Sequence, residues 1–138
     1  MPIWKQLYAM VWLAFLQIVL ITAARITTYL LEGHVFLGLV ILGLAHYDSA
    51  KIKNSEAPLR LKRIVKATAV LATIQLILGA VLFLNIRFQV GVPLIEVVSF
   101  LHLIIALAII TQASSVATAY DMWEEHEYAP SPKPNTTT

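Results

Sequence analysis

Four long apolar segments, separated by short polar stretches, dominate the pattern of this chain. A membrane-spanning helix needs about 20 predominantly apolar residues, and each of these segments approaches or reaches that length. The pattern predicts spans at about residues 7–26, 29–47, 67–86 and 96–120. Short connections between consecutive spans favour antiparallel neighbours. We therefore expect an all-α membrane protein, folded as an antiparallel bundle of four transmembrane helices.

The composition supports a membrane protein and excludes several other classes. Of 138 residues, 59% are hydrophobic and only 13% are charged, with a mean hydropathy of +0.76, which is too apolar for a soluble domain of this size. The chain has no cysteine, which excludes disulfides, thiolate metal sites and covalent attachment of heme. We predict one membrane domain over residues 1–128. A disordered tail is expected over residues 129–138, which contain three prolines and end in a run of threonines.

One polar connection, Asp48 to Lys66, carries most of the positive charge and predicts the topology. Its basic residues are Lys51, Lys53, Arg60, Lys62, Arg63 and Lys66. Such a loop is retained in the cytoplasm by the positive-inside rule, so with four spans both termini are expected in the cytoplasm, with the bundle in the plasma membrane. The clustering explains the net charge of +2 by topology and does not indicate nucleic-acid binding. A specific contact with lipid or with another protein is the alternative interpretation.

Two histidines within the apolar segments are the main candidates for chemistry. Histidine is costly inside a bilayer and usually has a functional reason to be there. His34 and His102 each follow the start of a span by five or six residues, which places both roughly 7–9 Å below the outer surface. Two imidazoles at matched depth on two helices of a bundle predict the axial ligands of one heme. Interfacial histidines without a ligand role are the alternative.

Small and polar residues surround these two positions. Gly38 and Ala106 each follow a histidine by four residues, so they share its helix face and leave room for a porphyrin. On the third span, Gln75 belongs to a stripe with Thr68, Ala72 and Gly79, whose simplest interpretation is close helix packing. Gln75 is expected to bond a neighbouring helix or an axial histidine. His46 and His126 are too far along the chain to reach the same iron, so one heme per chain is the most that the histidines support.

Three charged residues complete the candidate site. Arg25 and Arg87 both fall near the outer surface, where they are expected either to bind heme propionates or to extend towards lipid headgroups. Glu32 precedes His34 by two residues. It is expected to be a catalytic carboxylate, to form a salt bridge with Arg25, or simply to mark the membrane edge.

Two segments of the chain resemble the heme A synthase family. Residues Gln75-Leu-Ile-Leu-Gly79-Ala80, a loop with Pro93, and Phe100-Leu101-His102-Leu103 followed by Ala106 resemble half of such an enzyme, and the resemblance covers most of residues 33–120. In this family each four-helix half carries a histidine on its second and fourth helices, as His34 and His102 would here. The family motif at the second helix reads Glu, two residues, His, Arg, whereas this chain has Glu32-Gly33-His34-Val35.

The resemblance implies oxidation of a methyl group of heme O to the formyl group of heme A, for use in a terminal oxidase. It implies a heme of b, o or a type, and either a homodimer of half-size chains or association with a respiratory complex. Two alternatives remain open at this point. One is a b-type cytochrome that passes electrons as a respiratory subunit, and the other is a structural membrane subunit without heme.

Overall fold

A computed structural model describes residues 3–23 and 28–128 of the chain. These residues form four α-helices: α1, Ile3–Ala23; α2, Thr28–Lys53; α3, Leu59–Phe88; and α4, Ile95–Tyr128. Each helix is long and apolar enough to cross a membrane, so the chain is a multi-pass membrane protein. The predicted all-α, four-helix fold is confirmed.

The four helices pack in a ring in which each contacts two neighbours. Helix α1 packs against α2 and α4, and α3 packs against the same two helices. Among the described residues, the diagonal pairs α1–α3 and α2–α4 make no comparable backbone contact. Side chains from α2 and α4 can therefore meet only across the centre of the bundle. The predicted pair of ligands, His34 and His102, comes from these two helices.

Small residues lie inside the bundle, whereas many large apolar residues face outwards. This distribution is typical of membrane bundles, because lipid solvates large apolar side chains and small residues let helices approach closely. Trp12, Phe36 and Phe100 are 70%, 69% and 61% exposed on the outer surface. The buried alanines of the core are Ala14, Ala45, Ala57, Ala69, Ala72, Ala113 and Ala117.

The helices extend well beyond the predicted spans at the basic end of the bundle. The prediction that Asp48 to Lys66 form a polar loop is wrong. Helix α2 continues to Lys53, and α3 begins at Leu59. Only residues 54–58 lack helical structure there. Hydropathy reports depth in the membrane, and a helix continues into water where its charged side chains are solvated. The basic residues therefore lie mainly on helix ends.

Helices α1 and α4 are also longer than the spans predicted from the sequence. Helix α1 begins at Ile3, four residues before the predicted span, and α4 continues past Tyr120 through the acidic segment to Tyr128. Residues 24–27, which include Arg25, lie outside the described residues, and so does the predicted disordered tail at 129–138.

Specific hydrogen bonds close both connections of α3. Before α3, the Ser55 hydroxyl donates to Ile52 O at 2.8 Å, and Lys62 Nζ donates to Ser55 O at 2.6 Å. After α3, Gln89 adopts a left-handed conformation and its N–H donates to Asn85 O at 2.9 Å. These bonds satisfy backbone groups that a helix end leaves without intrahelical partners.

Candidate functional site

His34 and His102 face each other across the centre of the bundle. They lie six and seven residues after the starts of α2 and α4, so the matched depth expected from the sequence is kept. Both side chains are half-buried, and their ring centroids are 6.4 Å apart with an angle of 55° between the ring planes. Two helices without direct backbone contact thus bring one imidazole each to a common point.

A hydrogen bond to α1 orients the His34 ring. His34 Nδ1 lies 3.1 Å from the backbone oxygen of Gln17, which can only accept, so Nδ1 carries the proton and donates. The other ring nitrogen, Nε2, then carries a lone pair, which is the form of imidazole that binds a metal. A ring N–H bonded to a backbone carbonyl is the usual way in which a ligating histidine is held.

Gly38 makes room for the Gln17 side chain, not directly for His34. A Cβ added at Gly38 would lie 3.1 Å from Gln17 Nε2, closer than most such contacts allow. The small residue one turn after His34 therefore lets α1 bring Gln17 against α2, and the Gln17 carbonyl in turn holds the His34 ring.

His102 lies against a gap in α3 that Gly79 creates. A Cβ at Gly79 would lie 3.1 Å from His102 Cε1 and 3.8 Å from Nδ1. The backbone of Gln75, one turn earlier on α3, also lies beside this ring. The absence of a side chain at Gly79 is thus what allows α3 to pack against the imidazole.

His102 and the two glutamines whose backbones lie beside the rings each carry a buried side-chain atom without a hydrogen-bond partner. Within the described part of the chain, these atoms are His102 Nδ1, Gln75 Oε1 and Gln17 Oε1. A buried polar atom without a hydrogen bond costs about 1–3 kcal/mol, so such atoms usually mark a site that binds water or a ligand. One of these atoms, His102 Nδ1, belongs to the imidazole pair itself, so a group that bonds it would satisfy it.

Two histidines are the protein ligands that an iron porphyrin would need. Among the described residues, no group of three or more histidine, aspartate or glutamate side chains is arranged to hold a metal. A porphyrin supplies four nitrogens itself and needs only axial ligands from the protein. His34 and His102, whose ring centroids lie 6.4 Å apart, are the residues that would hold such a group.

The structure does not bring every predicted site residue to the histidine pair. Glu32 is exposed on α2, and two helical positions rotate it by about 200° from His34. Arg87 is exposed in the last turn of α3, and Arg25 lies outside the described residues. Ala106 is half-buried one turn after His102, and Gln75 lies beside the His102 ring.

The remaining described histidines lie away from this pair. His46 is exposed on α2, twelve residues after His34, and its Nε2 lies 3.0 Å from Thr73 Oγ1 on α3. His126 is exposed in the last turn of α4. Neither shares the position of His34 and His102.

The roles of Gln17 and Gly79 beside the two rings were not predicted from the sequence. Gln17 is a polar residue in the middle of an otherwise apolar helix, which is a signal for a buried polar contact. Gly79 carried no separate signal, because small residues are common wherever membrane helices pack closely.

Comparison of the chain with protein-family models, with curated proteins and with solved structures finds no match. The interpretation of the site therefore depends on its geometry and on the residues themselves.

Proposed function

We propose that this chain is a heme-binding membrane protein in which His34 and His102 are the two axial ligands. The observation that carries the proposal is the pair of imidazoles 6.4 Å apart, contributed by diagonal helices. The Gln17 carbonyl holds His34 with Nε2 free for iron, and Gly79 gives the His102 ring its position. Bound heme would supply one-electron redox chemistry at this site.

The geometry favours electron transfer over oxygen chemistry. Two imidazole ligands leave no open position on the iron, so a b-type cytochrome that exchanges electrons within a respiratory complex is the function best supported. The positive-inside rule applied to the basic ends of α2 and α3 places the termini in the cytoplasm, with the protein in the plasma membrane. On this arrangement, His34 and His102 lie near the outer surface.

Oxidation of heme O to heme A is the second candidate, and one contact favours it. Two parts of the chain carry the resemblance to heme A synthases: the segment from Gln75 to Gly79 and the segment around His102. In the fold, the first segment lies against the His102 ring. In this candidate, Glu32 is the catalytic carboxylate and Arg25 and Arg87 bind the propionates. A homodimer of half-size chains would restore the two halves of the larger enzymes.

Absorption spectra of the purified protein test heme binding directly. We expect a six-coordinate heme spectrum in the oxidised and dithionite-reduced forms, lost in both His34→Ala and His102→Ala. His46→Ala is the matched control, because His46 lies on the same helix as His34 but away from the pair, and it should keep the spectrum. A protein that stays colourless after reconstitution with heme would contradict both candidate functions. The remaining interpretation would then be a structural membrane subunit without heme.

The product separates the two candidates. Membranes containing the protein and supplied with heme O should yield extracted heme A if the chain is an oxidase of the heme O methyl group. The electron-transfer candidate predicts unchanged heme O and a reversible reduction. Under that candidate Glu32→Gln leaves the spectrum unchanged, because Glu32 is exposed and turned away from the pair.

A further inference from the structure

A basic cleft separates the ends of α2 and α3 at the opposite end of the bundle from the histidine pair. Its volume is about 420 Å³. Four cationic side chains line it, namely Lys53 from α2 and Lys62, Arg63 and Lys66 from α3. None of the described residues that line this cleft is acidic. Four positive charges without an acidic partner in the same cleft attract an anion, and phosphate is the group that arginine and lysine bind most readily in such clusters.

An apolar groove begins where the basic cleft ends. This shallow groove, of about 450 Å³, is lined by α3 and by Gln112 of α4. Arg63 and Lys66 line both cavities, and the groove continues along Ala67, Val70 and Leu71. A free phosphate ion would use only the basic cleft. A molecule with a phosphate and a hydrocarbon chain would use both cavities, with Arg63 and Lys66 at the junction.

The position of the two cavities along α3 matches the layers of a bilayer. The basic residues occupy the first turns of α3, before the uncharged stretch at residues 67–86 begins. The groove residues Ala67, Val70 and Leu71 are the first residues of that stretch. The cleft therefore lies at headgroup depth and the groove at the depth of the acyl chains, as expected for basic pockets that bind anionic lipids.

The cleft is partly ordered before any ligand binds. Lys62 Nζ donates to Ser55 O at 2.6 Å, and the Ser55 hydroxyl donates to Ile52 O at 2.8 Å. These bonds fix the short connection between α2 and α3 and hold the two helix ends at their observed spacing. Pre-ordering reduces the entropy lost on binding, because less of the protein has to be immobilised.

We propose that these cavities form a binding site for one anionic phospholipid, with its phosphate in the basic cleft and an acyl chain in the groove between α3 and α4. The inference is independent of heme binding, since it depends on residues at the other end of the bundle. It assigns to Arg63, Lys66 and the neighbouring cations a specific ligand in addition to their effect on topology.

Thermal unfolding of the detergent-solubilised protein tests the headgroup part of the site. A lipid that binds only the folded state raises the midpoint. We expect phosphatidylglycerol to raise the unfolding temperature, while phosphatidylcholine with the same chains and inorganic phosphate do not. The apparent affinity should fall about fivefold in Arg63→Gln and again in Arg63→Gln/Lys66→Gln. Arg60→Gln is the matched control, because Arg60 is exposed on the same helix but lines neither cavity.

A second pair of variants tests the acyl-chain groove. Val70→Trp should fill the groove and weaken phosphatidylglycerol binding, and Val70 is 50% exposed, so the larger side chain does not disturb the core. Ile74→Trp, one turn further along α3 and outside the groove, should bind as the unchanged protein does. Equal losses in Arg60→Gln and Arg63→Gln, an equal effect of phosphatidylcholine, or full replacement by inorganic phosphate would each overturn the proposal.

Discussion

Gly79 determines how closely α3 approaches the His102 ring. A Cβ at this position would already lie 3.1 Å from His102 Cε1, so a larger side chain must displace the imidazole. We predict that Gly79→Leu abolishes the six-coordinate heme spectrum, because a ligand displaced by about 1 Å no longer fits a metal–nitrogen bond of about 2.0 Å. The measurement is the heme content and the absorption spectrum of the purified variant.

Gly43→Leu is the control for this substitution. Gly43 lies on α2 in the membrane region, and a Cβ there would have no atom within 4 Å among the described residues. The same change in helix propensity and hydrophobicity is thus made without touching either histidine. Equal heme loss in both variants would mean that Gly79 acts through the stability of the bundle and not through the His102 ring.

Asp48 is the most thoroughly buried charged residue of the described chain. It is 0% exposed, and neither carboxylate oxygen has a hydrogen-bond partner within the described residues. Lys51, three residues further along α2, attracts the carboxylate and opposes the effect of its burial. An unsatisfied buried polar group costs about 1–3 kcal/mol, and more when it is charged, so we predict that Asp48→Asn raises the free energy of unfolding.

Unfolding by sodium dodecyl sulfate in mixed micelles measures this change. Asp121→Asn on α4 removes the same charge at a half-buried position and should alter stability by less than about 0.5 kcal/mol. A loss of stability in Asp48→Asn would mean that the charged carboxylate is needed for the fold, with the attraction from Lys51 outweighing its desolvation.

The sequence predicts the two facing histidines better than it predicts Gln17 and Gly79, the residues that position their rings. Histidine within an apolar run is conspicuous, and equal distances from two helix starts predict equal depth. Gln17 acts on His34 through its backbone oxygen, which every residue possesses, so its identity says little about that contact. Gly79 acts through the absence of a side chain, and which neighbour occupies the gap depends on the rotation of α4.

A hydrogen bond between side chains links α3 to α4. Thr68, which is 2% exposed, has its Oγ1 3.0 Å from Gln112 Oε1 and 3.0 Å from Ile64 O of its own helix, so the two oxygens share its one proton. Interhelical bonds of this kind contribute about 0.6 kcal/mol on average in membranes, and up to about 2 kcal/mol. We predict that Thr68→Val lowers the free energy of unfolding by an amount in this range, measured by the same detergent titration.

Thr111→Val distinguishes the interhelical bond from the loss of a hydroxyl. Thr111 is exposed on α4, and its hydroxyl donates only to Leu107 O of its own helix. This variant should unfold with nearly unchanged free energy. If both variants lose the same stability, the contact between Thr68 and Gln112 contributes nothing beyond the local helix.

The number and order of the helices follow from the hydropathy pattern, but their ends do not. The pattern distinguishes lipid from water, and both environments accept a helix. Residues 48–53 and 59–66 are polar enough to lie outside the apolar layer, yet they continue α2 and α3 because neither stretch contains a glycine or proline. The break falls where Asn54 to Pro58 supply the signals of a turn.

The chain forms four helices of alternating direction, and the absence of cysteine makes this topology easy to test by labelling. Single cysteines replacing Glu56, between α2 and α3, and Val90, between α3 and α4, should be labelled from opposite sides of the membrane by an impermeant maleimide. Both positions are exposed and lie outside the helices. By the positive-inside rule, position 56 should react only from the cytoplasmic side.

A third cysteine replacing Lys5 provides an internal check. Lys5 is exposed near the start of α1, so four alternating spans place it on the same side as position 56. Labelling of positions 56 and 90 from the same side would contradict the proposed passage of α3 through the membrane. It would also contradict the expected depth of Gln75 and Gly79, which lie beside His102 on α3.

The ring of helices also sets an order of assembly during synthesis. Helices α1 to α3 leave the ribosome before α4 is complete, and α4 must then dock against both α1 and α3 to close the ring. Until it docks, the Thr68 hydroxyl and the gap at Gly79 face lipid, because their partners Gln112 and His102 are still to come. The last helix to be inserted therefore completes the imidazole pair, so a group that needs both rings could bind only after α4 has been synthesised.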